Sequence, residues 1–201
     1  MATERRRIGV FGGTFDPPHT AHVVLAAAAI HQLTLHELVV TVAGVPWQKV
    51  GSREISDPEI RLEMAAAAFG PLERVTVSDV ELRRHGNSYT VDTLADMSDE
   101  STDLFLLLGS DTAAGLDTWE RPHELAELAT IAVFPRRGYE DSIPPPGFDH
   151  VNLELPGLEI SSTDIRRRVR SAEPIDGLTP PLVASIVRRE RLFPAREDSS
   201  E

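Results

Sequence analysis

Two histidines three residues apart, His19 and His22, follow a Gly12-Gly13-Thr14 turn, and that combination points to anion chemistry. The turn lies between an apolar run, Ile8-Gly9-Val10-Phe11, and an alanine-rich run over residues 23–33. A glycine turn joining a buried strand to a helix leaves backbone N–H groups unpaired at the helix N-terminus, where aligned peptide dipoles favour negative charge. Histidines at this spacing share a helix face and could bond one anion together. Phosphate suits such a position. The plainer reading, an exposed helix start that happens to carry two histidines, stays open on these residues alone. Neither G-x-G-x-x-G nor G-x-x-x-x-G-K-[ST] occurs at the turn, so the usual dinucleotide and P-loop signatures do not apply. A zinc site would want a third and usually a fourth ligand, and there is no His-Glu-x-x-His pattern and no cysteine, so no protein metal ligand is expected.

A second group of polar residues stands near the other end of the chain. In Ile160-Ser161-Ser162-Thr163-Asp164-Ile165-Arg166 a serine precedes an acid by three residues, as in a capping box, so a helix carrying Arg166, Arg167, Arg168 and Arg170 should begin there. Between the two groups, Asp111 follows an almost wholly apolar run at 103–108, where a carboxylate could accept from a hydroxyl or simply cap a helix.

These residues need a scaffold, and apolar segments alternate along the chain as in a mostly parallel sheet covered by helices. Strands are expected at 7–11, 37–43, 74–80, 103–108, 130–134 and 150–155. Helices are expected at 21–33, from Asp57-Pro58 onward, at 89–97, at 122–128, from about Ser162, and from Thr179-Pro180-Pro181 to about Leu192. The fold class is thus α/β, a Rossmann-like doubly wound sheet with helices on both faces and a C-terminal helical segment. Ligands of such sheets bind at the carboxyl ends of the strands, which places the loop at 44–56, with Trp47, Gln48 and Lys49, beside the opening turn.

With 201 residues, 41% hydrophobic and 26% charged, the chain reads as one soluble domain over residues 1–193, with a solvated, disordered tail at 194–201. A net charge of −12 argues against nonspecific nucleic-acid binding, which rests on Lys and Arg neutralising phosphates. No apolar stretch is long enough to span a bilayer, and the absence of cysteine fits a reducing compartment, so a cytoplasmic protein is expected. A homo-oligomer is left open.

Gly12-Gly13-Thr14-Phe15-Asp16-Pro17-Pro18-His19-Thr20-Ala21-His22 resembles the [GG]-T-F-D-P-x-H-x-G-H motif of the nucleotidyltransferase α/β-phosphodiesterase superfamily, and ISSTDIR at 160–166 is similar to its second signature. Segments between them, Gly44-Val45-Pro46-Trp47-Gln48-Lys49, Ser88-Tyr89-Thr90-Val91-Asp92-Thr93-Leu94, and Gly109-Ser110-Asp111 followed by Trp119, resemble bacterial nicotinate-nucleotide adenylyltransferases. Phosphopantetheine adenylyltransferase is similar at both ends but lacks this middle. A nucleotide-binding regulator that has lost turnover is the alternative from another class.

The resemblance implies adenylyl transfer from ATP, with Mg2+ carried by its phosphates, to the 5′-phosphate of nicotinate mononucleotide. It implies catalytic roles for His19, His22, Lys49 and Arg166. It implies ATP contacts from Gly12, Gly13, Thr14, Phe15, Gly109, Asp111, Ser162 and Thr163, and mononucleotide contacts from Tyr89, Thr90, Trp119 and Trp47. One departure stands inside the first motif: Ala21 occupies the place of the usual glycine.

Overall fold

The computed structural model describes residues 5–44, 55–84 and 89–195. Six parallel strands form one sheet in the order β3-β2-β1-β4-β5-β6. They are β1 (Arg6–Gly13), β2 (Glu37–Val42), β3 (Val75–Ser78), β4 (Thr102–Gly109), β5 (Ala129–Phe134) and β6 (His150–Asn152). The chain winds outward from β1 in one direction through β3, then returns to set β4 on the other side of β1. Ile8 pairs with Glu37 of β2 on one side and with Leu104 of β4 on the other. The β1–β4 boundary is where the strand order reverses, and a crevice opens above the carboxyl ends of the strands at such a point.

The central strands alternate faces with a period of two. Phe105 and Leu107 of β4 pack with Phe11 of β1 in one core, which also holds Leu25 of α1 (Thr20–Gln32), Met64 of α2 (Pro58–Phe69), Ile165 of α7 (Ser162–Arg170) and Val183 of α8 (Pro181–Arg189). Leu104, Leu106 and Leu108 face the opposite core with Val10, Leu94 of α4 (Thr90–Met97) and Leu125 of α6 (Pro122–Leu128). Every one of these side chains is buried, which explains why β4 reads as a continuous apolar run instead of an alternating one. Each such residue contributes roughly 1.5–3 kcal/mol of burial, so β4 ties the two layers together.

Helix starts follow local chemistry. Asp57 caps α2 by accepting from Glu59 N, with Pro58 at the first position, and Ser161 Oγ caps α7 by accepting from Asp164 N at 3.1 Å.

Two strands are shorter than expected. The segment expected to alternate over 74–80 is strand only at Val75–Ser78, because the chain then turns into a short helix, α3 (Val80–Arg83). The last strand stops at Asn152 rather than at 155, because its neighbour β5 ends at Phe134, one residue past the Val133–Asn152 pair. Asp111 lies within the short helix α5 (Ser110–Ala113), whose cap position is Gly109, so Asp111 is not the cap. Trp47 and Lys49, and the tail from residue 196, lie outside the described residues.

Candidate active site

The opening turn is held by its carbonyls. Thr14 O accepts from Arg61 Nη1 (3.1 Å), Asp16 O from Arg166 Nη1 (2.7 Å), Pro17 O from Ser162 Oγ (2.9 Å) and Pro18 O from Thr179 Oγ1 (2.7 Å). Gly13 O accepts from Ala43 N (2.9 Å). The donors come from α2, α7, the approach to α8 and the end of β2. Pro17 and Pro18 have no N–H to place, so their carbonyls carry the whole hydrogen-bonding demand of that segment. With its carbonyls so engaged, the turn can meet an anion only through its N–H edge.

Side-chain packing fixes the shape of the turn. Phe15 has a positive φ of 48°, costly for an aromatic residue, and its ring is buried edge-on against Phe11 (5.4 Å between centroids) and Phe69 (5.3 Å). That ring fills the space a Cβ at Gly13 would need: such an atom would lie 2.8 Å from Phe15 Cζ. Glycine is therefore required at 13 by close approach. Phe15, expected to touch ATP, lines the cleft and also shapes the backbone there.

His19 and His22 stack with ring centroids 3.6 Å apart and planes 17° from parallel. His22 Nδ1 accepts from the backbone N–H of His19 at 3.1 Å, which assigns the proton of a neutral His22 to Nε2. His19 is buried, and burial together with the nearby Arg136 guanidinium lowers its pKa to about 4. It is a neutral imidazole at physiological pH and can offer one N–H.

Both histidines face a cleft of about 420 Å³ above the strand ends. Gly12, Gly13, Thr14 and Phe15 line one wall, and Ser162 and Thr163 from the start of α7 line another. The Ser161 cap takes Asp164 N–H, and the helix start leaves the N–H groups of Ser162 and Thr163 without intrahelical acceptors. On the far side stand Tyr89, Thr90, Asp111 and Trp119. Trp119 is half-buried: it packs against the second core and also borders the cleft. At Gly109 an added Cβ would come 2.5 Å from Asp111 Oδ1 and 3.0 Å from Arg136 Cγ, so a side chain there would displace both of these cleft-lining side chains.

Arg166 is placed differently from what a direct phosphate contact would require. It is 4% exposed and not among the residues lining the cleft; its guanidinium donates to Asp16 O and, at 3.0 Å, to Thr163 Oγ1. It braces the turn from behind, where the resemblance implied a catalytic role for it. Ser162 likewise spends its hydroxyl proton on Pro17 O.

Among the described residues, the arginine that lines the cleft is Arg136, from the loop after β5, outside every motif of the sequence. Its guanidinium carbon lies 5.3 Å from the centre of the Phe134 ring, and its backbone N–H donates to Ser110 Oγ at 3.0 Å. The signal was available: an arginine just beyond the carboxyl end of an apolar parallel strand stands at the ligand edge of the sheet. Ala21, where the motif glycine was expected, is half-buried on α1 and not a lining residue.

Among the described residues no group of three or more His, Cys, Asp or Glu could hold a metal ion, and no helix is long and apolar enough to cross a membrane.

The family model described as cytidylyltransferase-like matches residues 10–168. The probable nicotinate-nucleotide adenylyltransferase of Frankia alni is 41% identical over 92% of this chain and 99% of its own length. That of Acidothermus cellulolyticus is 38% identical, over 96% of this chain and 97% of its own. Among solved structures, the nicotinic acid mononucleotide adenylyltransferase of Plasmodium falciparum, complexed with NaAD, superposes with a TM-score of 0.72 at 18% identity, covering 94% of this chain and 97% of that one. At that identity the likeness speaks to the fold.

Proposed function

Because the chain belongs to the cytidylyltransferase-like family, and within it to the nicotinate-nucleotide adenylyltransferases, we propose that it transfers the adenylyl group of ATP to the 5′-phosphate of nicotinate mononucleotide. The products are deamido-NAD and pyrophosphate. The observation that carries this reading is one cleft with an anion cradle, Gly12–Phe15 with His19 and His22, on one wall and an indole, Trp119, on the other.

An oxygen of the mononucleotide phosphate attacks the α-phosphorus of ATP, and the bond from that phosphorus to the bridging oxygen breaks as pyrophosphate departs. A phosphate monoester is largely ionised near neutral pH, so the nucleophile has no proton to surrender and no general base is required. What the site must supply is alignment, and donors for charge shared by the attacking, central and leaving oxygens. The turn N–H groups, the imidazole N–H of His19 and of His22, and the α7 start supply donors; Arg136 adds positive charge at the rim. Arg166 and Ser162 hold the turn in register. Lys49 would add a second cation from the segment between Gly44 and Ile55.

Asp111, exposed at the cleft edge, suits a ribose hydroxyl. The pyridine would stack on Trp119, with its carboxylate at the N-terminus of α4, where Tyr89 and Thr90 lie and where the helix dipole favours an anion over an amide. Mg2+ would arrive with ATP. Mg2+ commonly takes phosphate oxygens and water as its ligands, and the carboxylates lining the cleft are Asp16, Glu81, Asp111 and Glu120. When bound, it neutralises charge on the β- and γ-phosphates. A cytoplasmic location and free small-molecule substrates complete the proposal.

The test is pyrophosphate release from ATP with nicotinate mononucleotide, nicotinamide mononucleotide and phosphopantetheine in parallel. Turnover with the nicotinate form is the expected result. Turnover with phosphopantetheine alone would move the chain to a coenzyme A role, and ATP binding without turnover on any acceptor would make it a regulator.

A further inference from the structure

An arginine is among the largest fully buried side chains of the molecule: Arg61, on α2, is 1% exposed. Its guanidinium makes four hydrogen bonds, every one to a backbone carbonyl. Nε donates to Ser56 O (3.0 Å), Nη1 to Thr14 O (3.1 Å) and Ala43 O (2.7 Å), and Nη2 to Gly44 O (3.1 Å). Burial lowers its pKa from the ordinary arginine value, against the opposing pull of the Asp16 and Asp57 carboxylates. A buried charge costs several kcal/mol unless its surroundings are arranged for it, and a hydrophobic side chain would fill the same space without that cost. The carbonyl set is the arrangement, and it brings together the phosphate turn, the carboxyl end of β2 and the lead-in to α2.

We propose that Arg61 is a positioning residue for adenylyl transfer: by fixing the Thr14 carbonyl against Ala43, Gly44 and Ser56, it sets the angle at which the Gly12–Phe15 turn meets the phosphates of ATP. It acts through the turn and does not touch substrate, since it is absent from the cleft lining. The turn has a counterpart brace at its other end in Arg166, so its two ends are set by arginines from different helices. Only a planar fork serves three chain segments at once. An ammonium is a point donor that reaches fewer of them. The inference rests on the adenylyl-transfer reading for its kinetic consequence, and on geometry alone for its effect on ATP.

Arg61→Lys keeps the charge and removes the fork. The active fraction is first counted by calorimetric titration with nicotinate mononucleotide, whose pyridine pocket is built on the opposite core. Per binding-competent molecule, kcat is expected to fall about 10- to 100-fold, the scale of a displacement of about 1 Å at a reacting centre. The KM for ATP should rise several-fold, with mononucleotide affinity unchanged within about twofold. Arg61→Ala, assayed with and without added methylguanidinium, should regain part of kcat with it. Unchanged kcat and ATP KM in the active fraction of Arg61→Lys overturn the proposal. Loss of mononucleotide binding in both variants also overturns it, because Arg61 would then belong to the fold as a whole. If the wild-type chain turns over no acceptor, the function proposed above fails by itself. ATP titration then decides this inference: weaker ATP binding in Arg61→Lys upholds it and equal binding overturns it.

Discussion

Arg166 Nη1 donates to the backbone carbonyl of Asp16 at 2.7 Å, joining the second signature of the chain to the first through a bond between two buried groups. The guanidinium continues to Thr163 Oγ1, so one side chain sets both the turn and a hydroxyl on the facing wall of the cleft. Removing it would leave a buried carbonyl without its donor, a loss of about 1–3 kcal/mol. Arg166→Gln is therefore expected to lower the urea midpoint and to depress kcat/KM for ATP at temperatures where the variant is folded. Parallel unfolding and steady-state measurements check this. A variant of unchanged stability whose ATP KM alone rises would indicate that Arg166 contacts phosphate directly.

The buried His19 should make stability depend on pH. In the folded chain its pKa is about 4, against about 6.5 for an unperturbed histidine. Between those values the unfolded chain binds a proton that the folded chain does not, so stability is complete above pH 6.5, falls as pH drops, and levels off below about 4. The full difference is about 3 kcal/mol. Urea unfolding across this range should show that slope in the wild-type chain and a smaller slope in His19→Gln.

His22 and Trp119 should separate in kinetics. In the proposed mechanism the Nε2 proton of His22 bonds oxygens whose charge changes during transfer, so His22→Ala is expected to lower kcat by roughly 10²–10³, with a modest change in either KM. Trp119→Ala instead removes the ring proposed to stack on the pyridine in the ground state. The KM for nicotinate mononucleotide should rise by about tenfold or more, at nearly constant ATP KM. Equal losses toward both substrates would show that the ring serves the core alone.

Ala21 lies away from the cleft lining, so restoring the glycine of the family motif should not improve catalysis. Ala21→Gly is expected to destabilise the chain by about 0.5–1 kcal/mol, the cost of glycine inside a helix, and to leave kcat and both KM values within about twofold. Thermal unfolding and steady-state kinetics test the two halves of that expectation.

Much of this architecture was legible in residue order. Period-two and continuous apolar runs located all six strands, and Asp57-Pro58 and Ser161 with Asp164 marked helix starts, because capping and strand burial are local and leave their mark within a few residues. The Gly12-Gly13-Thr14 turn with its two histidines announced an anion cradle for the same reason. Tertiary structure alone decided which of the described arginines border the cleft. Arg166 and Arg136 look equally exposed on paper; folding buries the first against Asp16 and sets the second over Phe134 at the rim. It likewise gave Arg61, indistinguishable in sequence from a solvated helix residue, four carbonyls, three of them from segments far from it in the chain. A hydrogen bond across many residues has no local pattern. Whether an arginine binds substrate or braces the backbone depends on which carbonyls the fold brings within about 3 Å of it.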